Sequence, residues 1–583
     1  MSKWTVICKG ADFNAISARF NIDPVVARVA INRDVKIEDM DMFFNANMED
    51  INSPYELKDI EKAADYLADK ISEGRKIRVI GDYDCDGICS TYIFKNGLKR
   101  CGAIVDSVIP HRINDGYGLN KNLIDNAYRD GIQVIVTCDN GISAISQIEH
   151  ANELGMEVVV TDHHEVRYVE EDGVRTEVLP NAIAVVDPKQ EADESKFKEI
   201  CGAVVVMKLM EVIYTKFGLK KEDVYNEFLE IATLATVADL MELRDENRII
   251  VKYGLQKMKE THIAGLKALI EVNNINKDKL SAYHLGFIIA PCFNATGRLE
   301  EASLAVDLLD VEEYEEAKEM AIKIKELNDR RKELTLKGTQ RAFEIMQDKS
   351  YESDTVLVIY LPECHESLAG IIAGRIKEKY HKPTFVITDA HEGLKGSGRS
   401  IEAYNMFDEL IKCEDLFTKF GGHKMAAGLS IPAENLDEFR KRINRNSTLE
   451  EEDMQEKVSI DVAMPLSYVT ERLVEDLEKL EPFGVGNRKP IFAVKNVTFL
   501  EHRLMGKNSN VFRSMVADEQ GNRYDLIYFG DIDEFTSFLE ENYGTSNATN
   551  ITMSIVYYPD INEYQGGKNL QIIMTDYKNT NLP

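Results

Sequence analysis

The sequence lacks the features of secreted, membrane-spanning and zinc-stabilised proteins. Its nine cysteines are scattered and odd in number, and none forms a CxxC pair, so neither a disulfide framework nor a structural zinc site is expected. No apolar run approaches the ~20 residues needed to span a bilayer. Met1-Ser2-Lys3-Trp4 leads into polar sequence without a secretion signal. We therefore expect a soluble protein of the reducing cytoplasm, with no membrane partner.

Positive charge is also scarce. Lys and Arg total 70 against 100 Asp and Glu, and the net charge is −30. Nucleic-acid-binding proteins usually have a basic face, so this balance argues mildly against such a partner. A local basic groove is compatible with this net charge, because net charge describes the whole surface rather than one site.

No Walker-type glycine loop with its lysine is present, which disfavours a protein that uses the hydrolysis of nucleoside triphosphates to drive its work.

What the sequence does contain is a set of apolar runs that stop at acidic residues. Short Val/Ile runs separated by helix-length segments are typical of buried parallel strands in an α/β sheet. Such sheets bind ligands outside the carboxyl ends of their strands. Four runs of this kind end at Asp82, Asp139, Asp162 and Asp187. The pattern therefore predicts a cluster of carboxylates, joined by His163 and His164, where an α/β protein has its active site.

Each acidic segment has an ordinary explanation when taken alone. Asp82-x-Asp84-x-Asp86 could be a solvated turn, Asp139-Asn140-Gly141 is common turn chemistry, and Asp162 could cap a helix. Together, at four strand ends, they favour a metal site, because clustered carboxylates repel one another unless cations neutralise them. A mixed Asp/His shell suits Mn²⁺ or Mg²⁺, and two such ions can promote phosphoester or phosphoanhydride hydrolysis.

The chain is too long for one core and is predicted to form several domains. Residues 312–348 have a helical period with a polar outer side, which indicates a long connecting helix. A second α/β unit follows, then an acidic linker, then short strands typical of a β-barrel. The predicted divisions are an N-terminal extension (1–50), a catalytic α/β domain (51–310), a connecting helix (311–348), a second α/β domain (349–445), a linker (446–456) and a barrel (457–583).

The acidic motifs resemble those of the DHH phosphoesterase superfamily, whose name is spelled by Asp162-His163-His164. Within it, the resemblance is to the family of single-strand-specific DNA exonucleases, carried by residues 81–87, 138–141, 186–189 and 235–239. It implies a DHH parallel-sheet domain, a DHH-associated α/β domain and an oligonucleotide-binding (OB) barrel. It also implies a catalytic set consisting of Asp82, Asp84, Asp139, Asp162, His163, His164 and Asp187.

The resemblance further implies two ions, Mn²⁺ or Mg²⁺, bridged by Asp139. One ion would be held by Asp82 and Asp139, and the other by Asp84, Asp139, His163 and Asp239. The pyrophosphatase branch of the superfamily has a histidine four residues before the first aspartate, where this chain has Arg78. The ion on the Asp82 side is therefore expected to be held less firmly.

Four further segments resemble parts of the exonuclease family that contact DNA: residues 110–119, 294–299, 396–400 and 420–428. Their glycines would let backbone N–H groups approach phosphate oxygens, and their arginines would supply bidentate forks. A surface turn, an ion-paired surface arginine and a plain glycine loop are the ordinary alternatives. The DNA- or phosphate-binding residues implied are Arg112, Tyr117, Arg298, Ser397, Arg399, Gly421, Gly422 and His423. Of these, Ser397, Arg399 and Arg112 would hold a 5′-phosphate.

The function implied is single-strand-specific 5′-to-3′ DNA exonuclease activity that releases mononucleotides in DNA repair and recombination. Its partners would be single-stranded DNA with a 5′ end, a helicase and a single-strand-binding protein, and the enzyme is expected to be monomeric. Two alternatives stay open. One is a DHH phosphodiesterase of short oligonucleotides or cyclic dinucleotides, and the other is a catalytically inactive replication scaffold.

Overall fold

The computed structural model describes residues 2–112, 115–116, 118–171, 173–390, 393–506, 510–564 and 567–580. The chain divides into two compact units. One comprises residues 1–50, 242–249 and 457–583, and the other comprises residues 51–241 and 250–456. No helix in the described part of the chain combines the length and apolarity needed to cross a bilayer.

The N-terminal residues begin with a strand and three short helices, namely β1 (Lys3–Val6), α1 (Phe13–Phe20), α2 (Pro24–Asn32) and α3 (Met40–Asn45). The next region alternates strands and helices: α4 (Ile60–Ser72), β2 (Lys76–Ile80), α5 (Cys85–Arg100), β3 (Ile104–Val108), α6 (Lys121–Arg129), β4 (Val134–Cys138), α7 (Ile145–Glu153), β5 (Glu157–Thr161), β6 (Arg167–Glu171), β7 (Val174–Val178), β8 (Ala184–Val186), α8 (Gly202–Lys216) and α9 (Lys221–Ala238).

Five of these strands form a parallel sheet in the order β3-β2-β4-β5-β8. Strands β2, β4, β5 and β8 are the four apolar runs seen in the sequence, and their residues are almost entirely buried. The predicted parallel-sheet domain is therefore confirmed. The strand β3 was not anticipated, because it lies at the edge of the sheet and is only partly buried, so it lacks a continuous apolar run.

Helices dominate the region that follows the sheet: α10 (Asp245–Met258), α11 (Ala264–Val272), α12 (Ala282–His284), α13 (Ala290–Leu299), α14 (Ser303–Asp310) and α15 (Tyr314–Met346), with a π-helical turn at Leu285–Ile289. The predicted long connecting helix is α15. It leads to a second α/β fold made of β9 (Leu357–Tyr360), α16 (Glu366–Tyr380), β10 (Thr384–Asp389), β11 (Leu394–Arg399), α17 (Met406–Ile411), β12 (Lys419–Gly422), β13 (Ala426–Ile431) and α18 (Leu436–Asn446).

The second sheet has the order β12-β13-β11-β10-β9. The glycine segments that suggested an anion pocket lie largely in strands: residues 396–399 in β11, and residues 420–422 and 426–428 in β12 and β13, on either side of a turn. A Cβ at Gly396 would lie 2.4 Å from Ile387 Cδ1, and one at Gly398 would lie 2.4 Å from Met406 Sδ and 2.6 Å from Phe385 Cε1, so neighbouring side chains would have to move. Ile387 and Phe385 are the partners of Gly396 and Gly398 on the adjacent strand β10, so a neighbouring strand approaches closely at both glycines.

The remaining elements are β14 (Lys457–Ile460), β15 (Val462–Ala463), α19 (Glu471–Glu478), β16 (Phe492–Met505), β17 (Val511–Ala517), β18 (Arg523–Tyr528), α20 (Ile532–Tyr543), β19 (Thr552–Tyr564) and β20 (Gly567–Asn579). Strands β16, β17, β18, β20 and β19 pair in that order, and β19 pairs back onto β16. This closes a five-stranded barrel, as the OB-like prediction required.

Residues 1–50 share the hydrophobic core of the barrel. Val26 and Val29 belong to the same buried cluster as Phe492 and Tyr557. The strands β1 and β14 pair in parallel, and the Arg33 guanidinium donates to Asn487 Oδ1 at 2.5 Å. This unit is therefore built from segments that are distant in the sequence.

Candidate active site

The carboxyl ends of four adjacent parallel strands converge on one cluster of acidic residues. Asp82 follows β2, Asp139 follows β4, Asp162 follows β5 and Asp187 follows β8, and all four are buried. Asp239 joins them from the end of α9 and is partly exposed. The expected gathering of side chains at this edge of the sheet is thus present, because parallel strands have their carboxyl ends on the same side.

His163 lies at the centre of the cluster. Its Nε2 is 3.0 Å from Asp139 Oδ1, 3.6 Å from Asp86 Oδ2 and 3.6 Å from Asp239 Oδ2. Among the described residues, three groups have ligand atoms within 4.8 Å of one another: Asp82, Asp84 and Asp139; Asp86, His163 and Asp239; and Asp139, His163 and His164. Asp139 belongs to two of these groups, the position that a bridging ligand requires. Asp84 groups with Asp82 rather than with His163.

The chemistry of this donor set fits divalent cations. Burial and the charge of Asp84 raise the pKa of Asp82 well above its usual value, and burial with four neighbouring carboxylates does the same for Asp139. Asp82 Oδ1 is buried and accepts no hydrogen bond from any described residue. Burial lowers the pKa of His163, which favours the neutral imidazole that coordinates metals. Burying these carboxylates together costs free energy through desolvation and mutual repulsion, and bound cations would offset that cost.

The backbone at Asp139 holds an unusual conformation. Its φ is 59°, in the left-handed region that few side chains adopt. Asn140 secures this turn, because its Nδ2 donates to the carbonyls of Ile80 at 3.0 Å and Cys138 at 2.9 Å. A Cβ on Gly202 would lie 2.8 Å from Asp139 Cβ, so the start of α8 closely approaches this side chain. Strain of this kind is typical of functional residues.

Asp162 and His164 form a pair at the rim of the cluster. His164 Nδ1 is 2.7 Å from Asp162 Oδ1, and Asp162 Oδ2 accepts from Ile142 N at 2.9 Å. Burial opposes charge on His164, but Asp162 outweighs it and raises the His164 pKa to about 10. Burial also acts on Asp162, yet His164 brings the Asp162 pKa below its ordinary value. The pair therefore presents a cationic imidazole beside Asp139.

Asp187 lies deeper, next to Asp162. Its Oδ1 accepts from Lys189 N at 2.8 Å, while its Oδ2 is buried and has no donor in the described part of the chain. Burial and the charge of Asp162 raise the pKa of Asp187 to about 8. Asp187 is therefore a supporting carboxylate that is poorly suited to carrying charge at neutral pH.

Two side chains with no role in the sequence prediction also build the site. Asp86 accepts from the backbone N–H groups of Gly202 at 2.7 Å and Ala203 at 2.9 Å, which open α8. Asn294 Oδ1 accepts from Cys85 N at 2.9 Å and so secures the turn that carries Asp84. Asp86 is the third aspartate of Asp-x-Asp-x-Asp, so this motif could have indicated it as a site residue. The motif does not indicate that Asp86 binds the backbone at residue 202.

Arg78, which replaces the histidine of the pyrophosphatase branch, is ion-paired elsewhere. Its Nη2 lies 2.7 Å from Asp106 Oδ2 and its Nη1 lies 2.9 Å from Asp130 Oδ2. Asp106 is on β3, the edge strand, and Asp130 follows α6. The positive charge of Arg78 is thus neutralised by residues outside the acidic cluster.

A basic cluster adjoins the acidic one. Burial, together with the charges of Arg112, Arg331 and Arg399, lowers the pKa of Arg298 to about 9. In the described part of the chain, none of these four guanidinium groups has a carboxylate oxygen within 4.0 Å. Arg298 Nη1 instead donates to the Ser367 carbonyl at 2.7 Å. A chain of net charge −30 therefore retains unneutralised local positive charge beside its carboxylates.

A cavity of about 430 Å³ lies between the two α/β folds of this unit. Tyr83, which stands between Asp82 and Asp84, forms part of its wall, and Arg112 lies 4.6 Å from the centre of the Tyr83 ring. Ser397 and Gly421 also line it. The other predicted phosphate-binding residues of the second fold, Arg399, Gly422 and His423, are not among the lining residues. Tyr117 lies outside the described residues.

An exposed aromatic pair lies near Asp239 and was missed by the sequence analysis. Tyr283 is 61% exposed and Phe287 is 68% exposed, and their rings stack with centroids 4.9 Å apart. The π-helical turn that carries Phe287 packs against α9, whose end is followed by Asp239 and the 68% exposed Leu240. Apolar side chains at helical spacing usually indicate a core face, so only the fold identifies this patch as a surface.

Three family models match the chain. They are the DHH family N-terminal domain at residues 76–236, the DHHA1 domain at residues 353–447 and the RecJ OB domain at residues 460–576. They correspond to the parallel-sheet fold, the second α/β fold and the barrel.

Curated relatives and solved structures agree with these matches. The single-stranded-DNA-specific exonuclease RecJ of Escherichia coli strain K12 is 34% identical over 89% of this chain and 90% of its own length. Its Bacillus subtilis strain 168 counterpart is 32% identical over 96% of this chain and 69% of its own length. The crystal structure of RecJ in complex with Mn²⁺ from Thermus thermophilus superposes with a TM-score of 0.82 at 25% identity, covering 99% of this chain and 79% of that one.

Proposed function

The chain belongs to the RecJ family of single-stranded-DNA-specific exonucleases, and we propose that it degrades single-stranded DNA from the 5′ end, releasing mononucleotides, in DNA repair and recombination. One observation carries this proposal. Tyr83, which stands between Asp82 and Asp84 of the acidic cluster, also forms part of the wall of the cationic cavity, together with Arg112. An acidic cluster alone would suit any DHH phosphoesterase, whereas the adjoining cavity offers a place for a strand end.

Asp82, Asp84, Asp139, His163 and Asp239 would hold two divalent cations, Mn²⁺ or Mg²⁺. RecJ of Thermus thermophilus, which this chain resembles in structure, forms a complex with Mn²⁺. When bound, such ions activate water and stabilise the charge that develops on a phosphoryl group. Asp139 would bridge them, and its buried turn would keep its carboxylate in place. His164, held by Asp162, would direct positive charge at the scissile phosphate.

The proposed polarity rests on the cavity. Ser397 offers a hydroxyl group and Arg112 a guanidinium group to a terminal phosphate, and Arg399 lies in the same basic cluster. Burial and the charge of Arg112 lower the pKa of Arg399, so an anion between these two arginines would relieve their repulsion. Binding of the 5′-phosphate there would set the first phosphodiester bond beside the acidic cluster.

The test is degradation of a 5′-phosphorylated single strand in the presence of Mn²⁺. We expect a 5′ label to appear at once as mononucleotide and a 3′ label to shorten in steps. A 5′-hydroxyl strand should react at least about 10-fold more slowly, because charge-assisted bonds to the phosphate are lost. A duplex of the same sequence is the control. Faster hydrolysis of a dinucleotide than of the long strand would instead favour a short-oligonucleotide phosphodiesterase.

We further propose that nucleobases stack on the Tyr283–Phe287 pair as the strand approaches the site. Stacking on aromatic rings contributes about 1–3 kcal/mol per base and is independent of sequence. Replacing both residues with alanine should raise KM for a long strand by about 10-fold or more. Cleavage of a dinucleotide, which offers far fewer bases for stacking than a long strand, should change less.

The matched control for the aromatic pair is Tyr128→Ala. Tyr128 is 53% exposed on α6 and has no part in the proposed DNA path. An equal effect of the control variant, or an unchanged KM in the double variant, would contradict the stacking role.

A helicase is a proposed partner because a site for single strands needs duplex DNA to be opened, and a single-strand-binding protein would keep it open. Both would act with the enzyme in the cytoplasm.

A further inference from the structure

The cavity continues beyond Ser397 along the second sheet. The register places Ser397, Gly428 and Gly421 side by side on strands β11, β13 and β12. Two residues along each strand, Lys395, Ser430 and Lys419 form the neighbouring row. Because side chains alternate across a strand, both rows face the same side of the sheet. All six residues line the cavity.

The Ser397 row presents almost no side chains. Counting the described residues, a Cβ on Gly421 would have no atom within 4 Å, and one on Gly428 would meet only the Gly396 carbonyl at 3.9 Å. The cavity in front of them is therefore open space above exposed backbone. A volume of about 430 Å³ is more than a single terminal phosphate fills.

The next row is cationic. Lys395 is half exposed and pairs with Glu366 at 2.8 Å, while Lys419 is exposed with no carboxylate within 4.0 Å in the described residues. Ser430 places a hydroxyl group between them. Among the described residues that line the cavity, Glu366 is the one acidic side chain, against three cations, Arg112, Lys395 and Lys419.

The separation of the two rows along the strands determines the length of the group that they can bind together. Arg399 lies at one end of β11, on the same face as Ser397. Lys395 lies at the opposite end of the same face, beside Glu366. The Lys395 row is displaced from the Ser397 row by about 6.8 Å, two residues of strand rise. Two further phosphate groups attached to a terminal phosphate span such a distance.

We propose that the cavity accepts strands whose 5′ end carries a di- or triphosphate, with Lys395, Ser430 and Lys419 binding the outer phosphates. This inference rests on the proposed function. Hydrolysis would still occur at the first internucleotide bond: water adds to the phosphorus, the bond to O3′ breaks, and O3′ takes up a proton. The first product is a nucleoside 5′-triphosphate, and the shortened strand retains an ordinary 5′-monophosphate.

The experiment compares one oligonucleotide bearing a 5′-monophosphate or a 5′-triphosphate labelled at its γ-phosphate. The wild-type enzyme should release the label as nucleoside triphosphate. In the variant Lys395→Gln/Lys419→Gln, kcat/KM for the triphosphate strand should fall about 10-fold or more relative to that for the monophosphate strand, through loss of charge-assisted bonds. Lys412→Gln is the matched control, since Lys412 is an exposed, ion-paired lysine that follows α17.

Several results would overturn the proposal while leaving the exonuclease function intact. One is degradation of the monophosphate strand with no attack on the triphosphate strand. Another is release of the label as pyrophosphate or inorganic phosphate. A third is an equal loss for both strands in the double variant, which would make the lysines general electrostatic attractants. Failure to degrade either strand would overturn the proposed function itself and this inference with it.

Discussion

Replacement of Asp139 with asparagine should lower the rate of single-strand DNA hydrolysis by at least about 10³-fold, which corresponds to a loss of about 4 kcal/mol of transition-state stabilisation. Asp139 is buried, belongs to two of the three candidate ligand groups and lies 3.0 Å from His163. An amide can offer one neutral oxygen where the carboxylate offers two charged ones. Bridging two cations would then fail.

Asparagine is the informative substitution at this position. The φ of 59° is tolerated by Asn but strained for alanine, so Asp139→Asn removes charge without disturbing the turn. The apo variant should unfold at the same temperature as the wild type or higher, because one charge leaves a repulsive cluster. Mn²⁺ at 100 times its Kd should stabilise the wild type by about 2.7 kcal/mol and the variant much less.

The control for Asp139→Asn is Asp278→Asn, an identical chemical change on an exposed turn. It should retain wild-type turnover and the same thermal response to Mn²⁺. Hydrolysis by Asp139→Asn at more than a tenth of the wild-type rate would show that the cluster does not need this carboxylate. A melting temperature far below that of the wild type would instead indicate a structural role for Asp139.

Replacement of Gly297 with alanine should lower kcat by about 10²-fold although no charged group changes. Gly297 lies on α13, and a Cβ there would be 2.3 Å from the Tyr83 carbonyl oxygen. That backbone stands between Asp82 and Asp84, and it cannot yield without moving both carboxylates. Displacement of reacting groups by about 1 Å is enough for such a loss.

The control for Gly297→Ala is Gly374→Ala on helix α16. The nearest atom to a Cβ at Gly374 is 4.0 Å away, so the methyl group is accommodated. This variant should keep full activity and gain up to about 1 kcal/mol in unfolding free energy, because alanine favours a helix over glycine. Full activity in Gly297→Ala would mean that the Tyr83 turn is not held by α13.

The sequence was sufficient for the fold class and for the location of the acidic cluster. Buried parallel strands need continuous apolar residues, so β2, β4, β5 and β8 were visible as Val/Ile runs. The carboxyl ends of such strands share one edge, so Asp82, Asp139, Asp162 and Asp187 were expected together. Both inferences use local periodicity and a general rule of topology, and neither needs long-range contacts.

The edge strand and the glycine segments were harder to read. Ile104–Val108 is only partly buried, so its pattern is weak, and its Asp106 became meaningful only as the partner of Arg78. Glycine is depleted in strands, which made residues 396–398 resemble a loop. They form a strand through backbone pairing with β10 and β13, and Phe385 and Ile387 occupy space that side chains at these positions would otherwise need.

The acidic strand ends were determined by the sequence alone, because each is a local signal at the end of an apolar run. Only the tertiary structure decided how the rest is arranged. In the folded chain, Ser430 lies between Lys395 and Lys419 on neighbouring strands. Tyr283 and Phe287 are exposed. Arg298 donates a hydrogen bond to the carbonyl of Ser367. Strand register and the packing of one fold on another depend on contacts between distant residues. Those contacts leave no periodic trace in a single chain.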